Sequence, residues 1–356
     1  MTAPRLEIHL DRIRHNARTL VERLAARGIS VTGVTKATLG SPEVARELVG
    51  AGVVSIGESR VENVERLRRA GLTCPMTLLR SPMLSQVDRV VTHVDVSLNT
   101  EPDVLARLSE SAQAQHREHS VVLMVELGDL REGILPGDLA AIARSTQQLP
   151  SITLRGIGAN LACQSGVAPD RRNMAELSAL AASLEARLGA TFDIVSGGNS
   201  ANLDWAFDGA DVGRIDNLRL GESILLGREP LGRHPIDGLH TDAIALVAEV
   251  IESKPKPTQA WGEINQTAFG IQPAAEDRGT TNRVILAVGR QDVDPDGLVP
   301  PAGIEILGAS SDHLVVDAGA TGDRPAVGTE LRFQVDYSAL VRAMTSPFID
   351  RVYATG

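Results

Sequence analysis

Eight short apolar runs, separated by amphipathic segments, recur between Ile29 and Gly227 and constrain the fold of this chain most strongly. Short runs rich in Val, Ile and Leu are typical of parallel strands that are buried on both faces. Eight strand–helix repeats predict a TIM (β/α)8 barrel, while a doubly wound sheet is the alternative. No GxGxxG motif follows the first run, which weakens the dinucleotide-binding version of that alternative. The runs are Ile29–Val34, Val53–Ile56, Thr77–Leu79, Val94–Leu98, Val121–Leu127, Ile152–Ile157, Phe192–Val195 and Val212–Leu220.

Helix signals lie between these runs. Ser41-Pro42-Glu43 has a capping residue, a proline for the first turn and an early acid. The Ala/Leu-rich segment Ala175–Leu188 has polar residues on one side, as a surface helix of a barrel does.

The pattern changes after Gly227. A Pro/Gly/His-rich linker is followed by short apolar runs that are separated by turn signals, which predicts an all-β domain. The alternating Leu6–Leu10 segment could add a strand to it. We therefore predict an α/β fold, with a TIM barrel over residues 11–230 and a C-terminal β-domain built from residues 1–10 and 240–356. The predicted strands are Ala243–Ile251, Arg283–Val288, Ile304–Leu307, His313–Val316 and Leu331–Val335.

Charge and composition exclude several classes of function. The net charge of −10 argues against nucleic acid as the main partner. No run approaches the length of a membrane span, and the N-terminus has no apolar core of a signal peptide. Cys74 and Cys163 form neither a disulfide framework nor a metal motif, so we predict no metal site and two reduced thiols in a cytoplasmic protein.

Two kinds of strand end carry candidate chemistry. Lys36 follows the first run directly, where desolvation lowers the pKa of an amine and suits it to Schiff-base chemistry. The other lysines of the chain lie in Lys254-Pro255-Lys256. The seventh run ends in Ser196–Leu203 and the eighth in Arg219–Ser223, where glycines and hydroxyls at helix starts favour a phosphate.

The chain resembles fold-type III enzymes that depend on pyridoxal phosphate, the alanine racemase-like group, and within it the alanine/ornithine racemase branch. The resemblance covers nearly the whole length. It rests on ten motifs: GVTKATLG (33–40), GESRVEN (57–63), LLRSPM (78–83), LGDLREGI (127–134), GIGANLAC (156–163), SGGNSANL (196–203), LRLGESILLG (218–227), GRQDVDPDG (289–297), ILGASSDH (306–313) and RAMTSPF (342–348).

The resemblance implies a role for individual residues. Lys36 matches the Schiff-base lysine, Arg219 the arginine that faces the pyridine nitrogen, and Arg131 an arginine that orients the substrate carboxylate. An ion pair of Arg131 with Glu132 or Glu126 is the alternative. An arginine at the ring nitrogen stays protonated, which favours racemisation. The other cofactor-binding residues that we expect are Asn160, Asn199, Ser200, Gly221, Glu222 and Tyr337.

The chain also departs from the family. Alanine racemases use a tyrosine of the partner subunit as the second base, and the corresponding stretch, residues 262–267, has none. The candidates for this role are Cys163, Asp312 and His313. Asn160 replaces a barrel histidine, and Met124 replaces the lysine that supports the carboxylate-binding arginine.

Substrate recognition is expected to differ from that of alanine racemases. Asp294, in an acidic turn, could hold a distal ammonium group, and Ser311 is a second substrate-binding candidate. We therefore expect a racemase of ornithine or another basic amino acid that works as a homodimer with shared active sites. The alternatives are a pyridoxal phosphate-binding homeostasis protein without turnover and another pyridoxal phosphate reaction, a decarboxylase or an aldolase.

Overall fold

The computed structural model describes residues 2–270, 277–319 and 324–355. The chain divides into two compact units, Leu10–Thr241, and Met1–His9 together with Asp242–Gly356. The linker segment belongs to the first unit. The side chain of Asn16 donates to the carbonyl of His240 (2.9 Å) and accepts from its N–H (2.7 Å).

The first unit is a closed barrel of eight parallel strands, which confirms the predicted fold class. Strand β1 (Arg5–His9) precedes it and belongs to the other unit. The barrel strands are β2 (Ser30–Val34), β3 (Ser55–Glu58), β4 (Met76–Leu78), β5 (Val96–Asn99), β6 (His119–Val125), β7 (Ile152–Ala159), β8 (Ile194–Gly198) and β9 (Asn217–Leu220). The helices around them are α1 (Leu10–Ala25), α2 (Pro42–Gly50), α3 (Val61–Arg69), α4 (Val87–His93), α5 (Pro102–Ala114), α6 (Pro136–Gln147), α7 (Arg171–Leu188), α8 (Leu203–Phe207) and α9 (Glu222–Leu226).

Local capping fixes where these elements begin. Ser41 caps α2 as predicted, because its hydroxyl accepts from the N–H of Val44. Helix α7 begins four residues before the predicted Ala175, because Asp170 and Asn173 form a capping box. Strand β9 begins at Asn217 and not at Val212, since Gly213 turns the chain with a φ of +59°. None of the helices in the described ranges is both long and apolar enough for a bilayer crossing.

The second unit is an eight-stranded sheet with one helix near its end. Its elements are β10 (Ile244–Pro257), β11 (Thr280–Leu286), β12 (Leu298–Val299), β13 (Glu305–Ala309), β14 (Leu314–Asp317), β15 (Glu330–Val335), α10 (Tyr337–Thr345) and β16 (Asp350–Ala354). The main strand order is β12-β15-β10-β11-β14-β13. The N-terminal strand β1 lies between β10 (antiparallel, Leu6 opposite Leu246) and β16 (parallel), which confirms the strand expected at Leu6–Leu10.

Candidate active site

Most of the predicted site residues follow the carboxyl ends of the barrel strands. Lys36 comes two residues after β2, Asn160 directly after β7, Asn199 and Ser200 after β8, and Gly221 after β9. Because all strands of the barrel are parallel, these ends meet at one face, where TIM barrels carry their active sites.

Lys36 opens a one-turn helix, Lys36–Thr38, in the connection between β2 and α2. Lys36 is an exposed residue, although protein surrounds its amine on several sides. The surrounding protein lowers the pKa of the amine through desolvation; the nearby Cys163 raises it, and the cations Arg131 and Arg219 lower it further. These three residues therefore lie close enough to the amine to influence its pKa. A lowered pKa leaves more of an amine unprotonated at a given pH, so more of it is available as a nucleophile or a proton acceptor.

Arg219, in β9, is fully enclosed on the inner side of this site. Its guanidinium donates to Ser196 Oγ (2.5 Å), to the carbonyl of Ala159 (2.8 Å) and to Asn160 Oδ1 (3.3 Å). Burial lowers the pKa of Arg219 to about 10, so the side chain is still a cation at neutral pH. No carboxylate among the described residues pairs with it within 4 Å, and the charge is held by neutral acceptors alone.

A hydroxyl and amide cluster lies where β8 and β9 end. The buried Ser200 Oγ accepts from the backbone N–H of Gly221 (3.4 Å) and of Ser223 (3.2 Å) and lies 3.0 Å from Ser223 Oγ. Asn199 caps the short helix that contains Ser200. An added Cβ at Gly221 would lie 3.1 Å from Val34 Cβ, so the ends of β9 and β2 pack closely. Glu222 begins α9 directly beside this cluster.

Asn160 bridges this cluster and Arg219. Its Oδ1 accepts from Asn199 Nδ2 (3.1 Å) and from Arg219. Its Nδ2 is buried and has no hydrogen-bond partner in the described part of the chain. Since buried donors are almost always satisfied, this atom points to a bound group.

The loops after β6 and β7 bring Arg131 and Cys163 to the same face. Buried Asp129 accepts from the backbone N–H of Cys163 (3.2 Å), Gln164 (2.9 Å) and Ser165 (3.1 Å), and so ties one loop to the other. The thiol of Cys163 is exposed and lies 3.5 Å from Asn199 Nδ2, whereas a cysteine without a catalytic role is more often a buried, inert thiol.

Arg131 forms the ion pair that the sequence left as an alternative to substrate binding. Two of its nitrogens donate to the two carboxylate oxygens of Glu132, and this bond raises the pKa of Arg131. The pair nevertheless lies at the site. The positive charge of Arg131 lowers the pKa of Lys36, and the negative charge of Glu132 raises the pKa of Arg219.

The remaining candidates belong to the β-domain. Ser311, Asp312 and His313 form the turn between β13 and β14, and His313 Nδ1 lies 2.8 Å from Asp312 Oδ1. Asp294 accepts from the N–H of Asp296 and from Ser338 Oγ, next to Tyr337, the first residue of α10.

Sequence reasoning missed two acids, Glu58 and Asp129, and named Glu132 only as an ion-pair partner of Arg131. Glu58 ends β3 and is fully buried. Inspection of every strand end, and not only those with glycine or lysine, would have found it. Asp129 lies inside the motif LGDLREGI (127–134), two residues before Arg131.

The residues at the barrel face fit a bound pyridoxal phosphate. They provide an amine of lowered pKa, a hydroxyl and amide cluster for an anion, a cation, and a buried amide donor without a partner. These groups lie at adjacent strand ends of one barrel face.

Comparison with known proteins identifies the family. The model of the family described as "Alanine racemase, N-terminal domain" matches residues 8–229. A lysine racemase of Thermotoga maritima is 40% identical over 355 residues and covers 99% of both chains. An ornithine racemase of Acetoanaerobium sticklandii is 38% identical and covers 98% of this chain and 99% of its own.

Solved structures share the fold at lower identity. The alanine racemase of Streptomyces coelicolor A3(2) has a TM-score of 0.78 at 20% identity, over 99% of this chain and 98% of its own. The D-threonine aldolase of Filomicrobium marinum has a TM-score of 0.75 at 16% identity, over 97% of this chain and 89% of its own. A racemase and an aldolase on one fold show that the fold does not decide the reaction. The family match and the two full-length relatives establish that this chain belongs to the alanine racemase N-terminal-domain family of fold-type III pyridoxal phosphate enzymes.

Proposed function

We propose that this protein is a pyridoxal phosphate-dependent racemase that interconverts the L and D forms of a basic amino acid, with ornithine first and lysine second. The observation that carries the proposal is Lys36, an amine of lowered pKa at the barrel face, in a chain that racemases named for lysine and ornithine match from end to end.

The barrel face supplies the groups that would hold the cofactor. Lys36 Nζ would bind it covalently, Arg219 would face the ring nitrogen, and Asn160 Nδ2 offers a free donor. Ser200 Oγ, with the N–H groups of Gly221 and Glu222, would hold the phosphate, assisted by Asn199 as the cap and by Tyr337. When bound, the cofactor withdraws electrons from the Cα of an attached amino acid and so acidifies its proton.

A racemase needs one proton carrier on each side of that Cα. Lys36 suits one side, because desolvation lowers the pKa of its amine and so increases the share of neutral amine that can take up a proton. For the other side, Cys163 is favoured by its exposed thiol and by its electrostatic coupling to Lys36. Asp312 and His313 are the candidates from the β-domain.

The activity is tested by incubation of the holoenzyme with single L-amino acids and chiral chromatography of the products. We expect D-ornithine and D-lysine to form faster than D-alanine. Borohydride should fix the cofactor on the Lys36 peptide, which mass spectrometry identifies. Formation of no D-isomer from any of the three would reject the proposal. Release of CO2 or of an aldehyde would indicate a decarboxylase or an aldolase instead.

Glu132 supports the choice of a basic substrate. Arg131 and Glu132 place a cation and an anion side by side near Lys36, and ornithine carries the complementary α-carboxylate and distal ammonium. Glu132 would hold the ammonium while Arg131 holds the carboxylate. Asp294, the residue predicted from the sequence for the ammonium, and Ser311, the other substrate-binding candidate, lie in the β-domain.

Glu132→Gln is expected to raise KM for ornithine and lysine by about tenfold and to leave KM for alanine nearly unchanged, because alanine has no distal charge. Glu126→Gln is the matched control: Glu126 lies in the same loop and accepts only from the backbone N–H of Gly128 and Leu130. Equal changes for ornithine and alanine would contradict the assignment, and an effect confined to Asp294→Asn would restore Asp294 to this role.

A homodimer in the cytoplasm completes the proposal. The β-domain exposes apolar side chains, among them Trp261 (84% exposed) and Ile264 (71%), and such side chains support burial against a second copy. The free thiols of Cys74 and Cys163 suit a reducing compartment. Light scattering of the holoenzyme should give twice the mass of the 37.8 kDa chain.

A further inference from the structure

Glu58 is a fully buried carboxyl group that the reaction described above does not use. It is 0% exposed at the last position of β3. Strand β3 lies beside β2, with Gly57 opposite Val34, so Glu58 neighbours the chain that leads into Lys36. Burying a carboxylate is costly, and a group retained at that cost invites a functional explanation.

The hydrogen bonds of Glu58 come from neutral donors. Oε1 accepts from Thr35 Oγ1 (2.5 Å), and Oε2 accepts from Asn63 Nδ2 (2.9 Å) and from the N–H of Ser59 (3.3 Å). Within the described residues no cation lies within ion-pair distance of the carboxylate. The charged side chain that acts on it electrostatically is Lys36.

These bonds hold the turn that carries the lysine. The turn starts at Thr35, whose carbonyl accepts from the N–H of Thr38 (3.0 Å) and of Gly40 (3.1 Å). Gly40 has a φ of +62°, and an added Cβ would lie only 2.8 Å from Asn63 Cβ. Glu58 therefore hydrogen-bonds to Thr35, the first residue of the turn. Through its hydrogen bond with Asn63 it also supports Gly40, the last residue.

We propose that Glu58 is a positioning residue for Lys36: its buried carboxylate fixes the turn that carries the lysine and provides negative charge that favours the protonated amine. The role rests on the proposed function, in which Lys36 must both take up and return a proton. The other charged groups that face Lys36 are Arg131 and Arg219, which disfavour the protonated amine, and Cys163, which favours it as a thiolate.

Glu58→Gln keeps the shape and removes the charge. Its amide oxygen can still accept from Asn63 Nδ2 and from the N–H of Ser59, and its amide nitrogen can donate to Thr35 Oγ1, which then accepts instead of donating. We expect kcat at neutral pH to fall by about tenfold. The lysine limb of the pH profile of kcat should move to lower pH. In the cofactor-free full chain, competitive acetylation followed by mass spectrometry of the Lys36 peptide should show the same displacement. This second measurement does not depend on racemase activity, so it still tests the inference if the proposed function fails.

The thermal stability of Glu58→Gln is expected to change in the opposite direction to its activity. Burial raises the pKa of Glu58, against the hydrogen bonds of Thr35 and Asn63, so the folded chain binds this proton more tightly than the unfolded chain. Stability is therefore lost as the pH rises from the ordinary glutamate pKa through the raised one. Glu58→Gln avoids that loss, and its Tm at neutral pH should equal or exceed that of the wild type while its activity falls.

Two further variants separate charge from anchoring. Thr35→Val removes the hydrogen bond and keeps the carboxyl group, so it should lower kcat and move the acetylation midpoint of Lys36 less than Glu58→Gln does. Glu229→Gln alters another buried carboxylate, which accepts from the backbone N–H of Leu231, Gly232 and His234 and lies 3.2 Å from His234 Nδ1, and it should leave both kcat and the midpoint unchanged. An unmoved midpoint in Glu58→Gln would overturn the proposal, and so would an equal displacement in Glu229→Gln.

Discussion

Replacing Lys36 with alanine is expected to reduce formation of the D-amino acid by at least about 10⁴-fold, because one side chain both binds the cofactor and carries a proton. The exposed position of Lys36 and the one-turn helix that it opens make a folding defect unexpected. Chiral chromatography measures the loss of activity. Borohydride reduction followed by peptide mapping should recover no cofactor on any other side chain.

Lys254→Ala is the control for this change. Lys254 is an exposed lysine of β10 that pairs with Glu252 (3.0 Å), and its removal should leave turnover and cofactor binding as they are. If Lys36→Ala kept more than about a hundredth of the activity, another group would have to carry out the proton transfer, and the proposed role of Lys36 would be wrong.

Asp129→Ala is expected to have the second-largest effect, on stability as well as on activity. Its carboxylate is 1% exposed, and its removal leaves the N–H groups of Cys163, Gln164 and Ser165 without their acceptor. Each buried donor that is left without an acceptor lowers the free energy of unfolding by about 1–3 kcal/mol unless water reaches it. We expect the free energy of unfolding to fall by about 3 kcal/mol, and kcat to fall by about 100-fold as the Cys163 loop loses its anchor.

The stability effect of Asp129 should depend on pH with a defined sign. Burial opposes ionisation, but the backbone donors outweigh it and lower the pKa of Asp129. Its stabilising contribution is thus complete above the ordinary aspartate pKa and disappears as the pH falls through the lowered one. Urea titrations of wild type and variant should therefore differ most near neutral pH and converge in acid.

Asp170→Ala is a matched control for the loss of backbone acceptors. Asp170 accepts from two backbone N–H groups at the start of α7, and its loss should cost about 1 kcal/mol without changing kcat. A fall in kcat as large as that of Asp129→Ala would mean that lost stability alone explains both variants.

The sequence predicts the barrel because its strands are short, apolar and buried on both faces, as Val121–Val125 in β6 illustrates. It also places Lys36 and Ser200 at the active face, because strand order and direction follow from the repeat. Where one residue controls the geometry, the prediction is less accurate. A left-handed Gly213 delays β9 to Asn217, and a capping box advances the start of α7.

The supporting acids escape prediction for a physical reason. Asp129 and Glu58 work through partners distant in sequence, 34 to 36 residues away for Asp129 and 23 for the Thr35 bond of Glu58. No local period marks such pairs, and an acid next to a strand looks the same whether it is solvated or buried. The ion pair of Arg131 with its neighbour Glu132 was foreseeable as an alternative, but its place beside Lys36 depends on the loop path.

Strand β1 has a consequence for the order in which the chain can fold. It lies between β10 and β16, and its partners follow far along the chain, since Leu6 pairs with Leu246 and with Arg351. During translation the whole barrel sequence therefore emerges before either partner strand of β1 exists. Pairing of segments so distant in sequence is slow to form, and we expect the sheet of the β-domain to be completed after the barrel has folded.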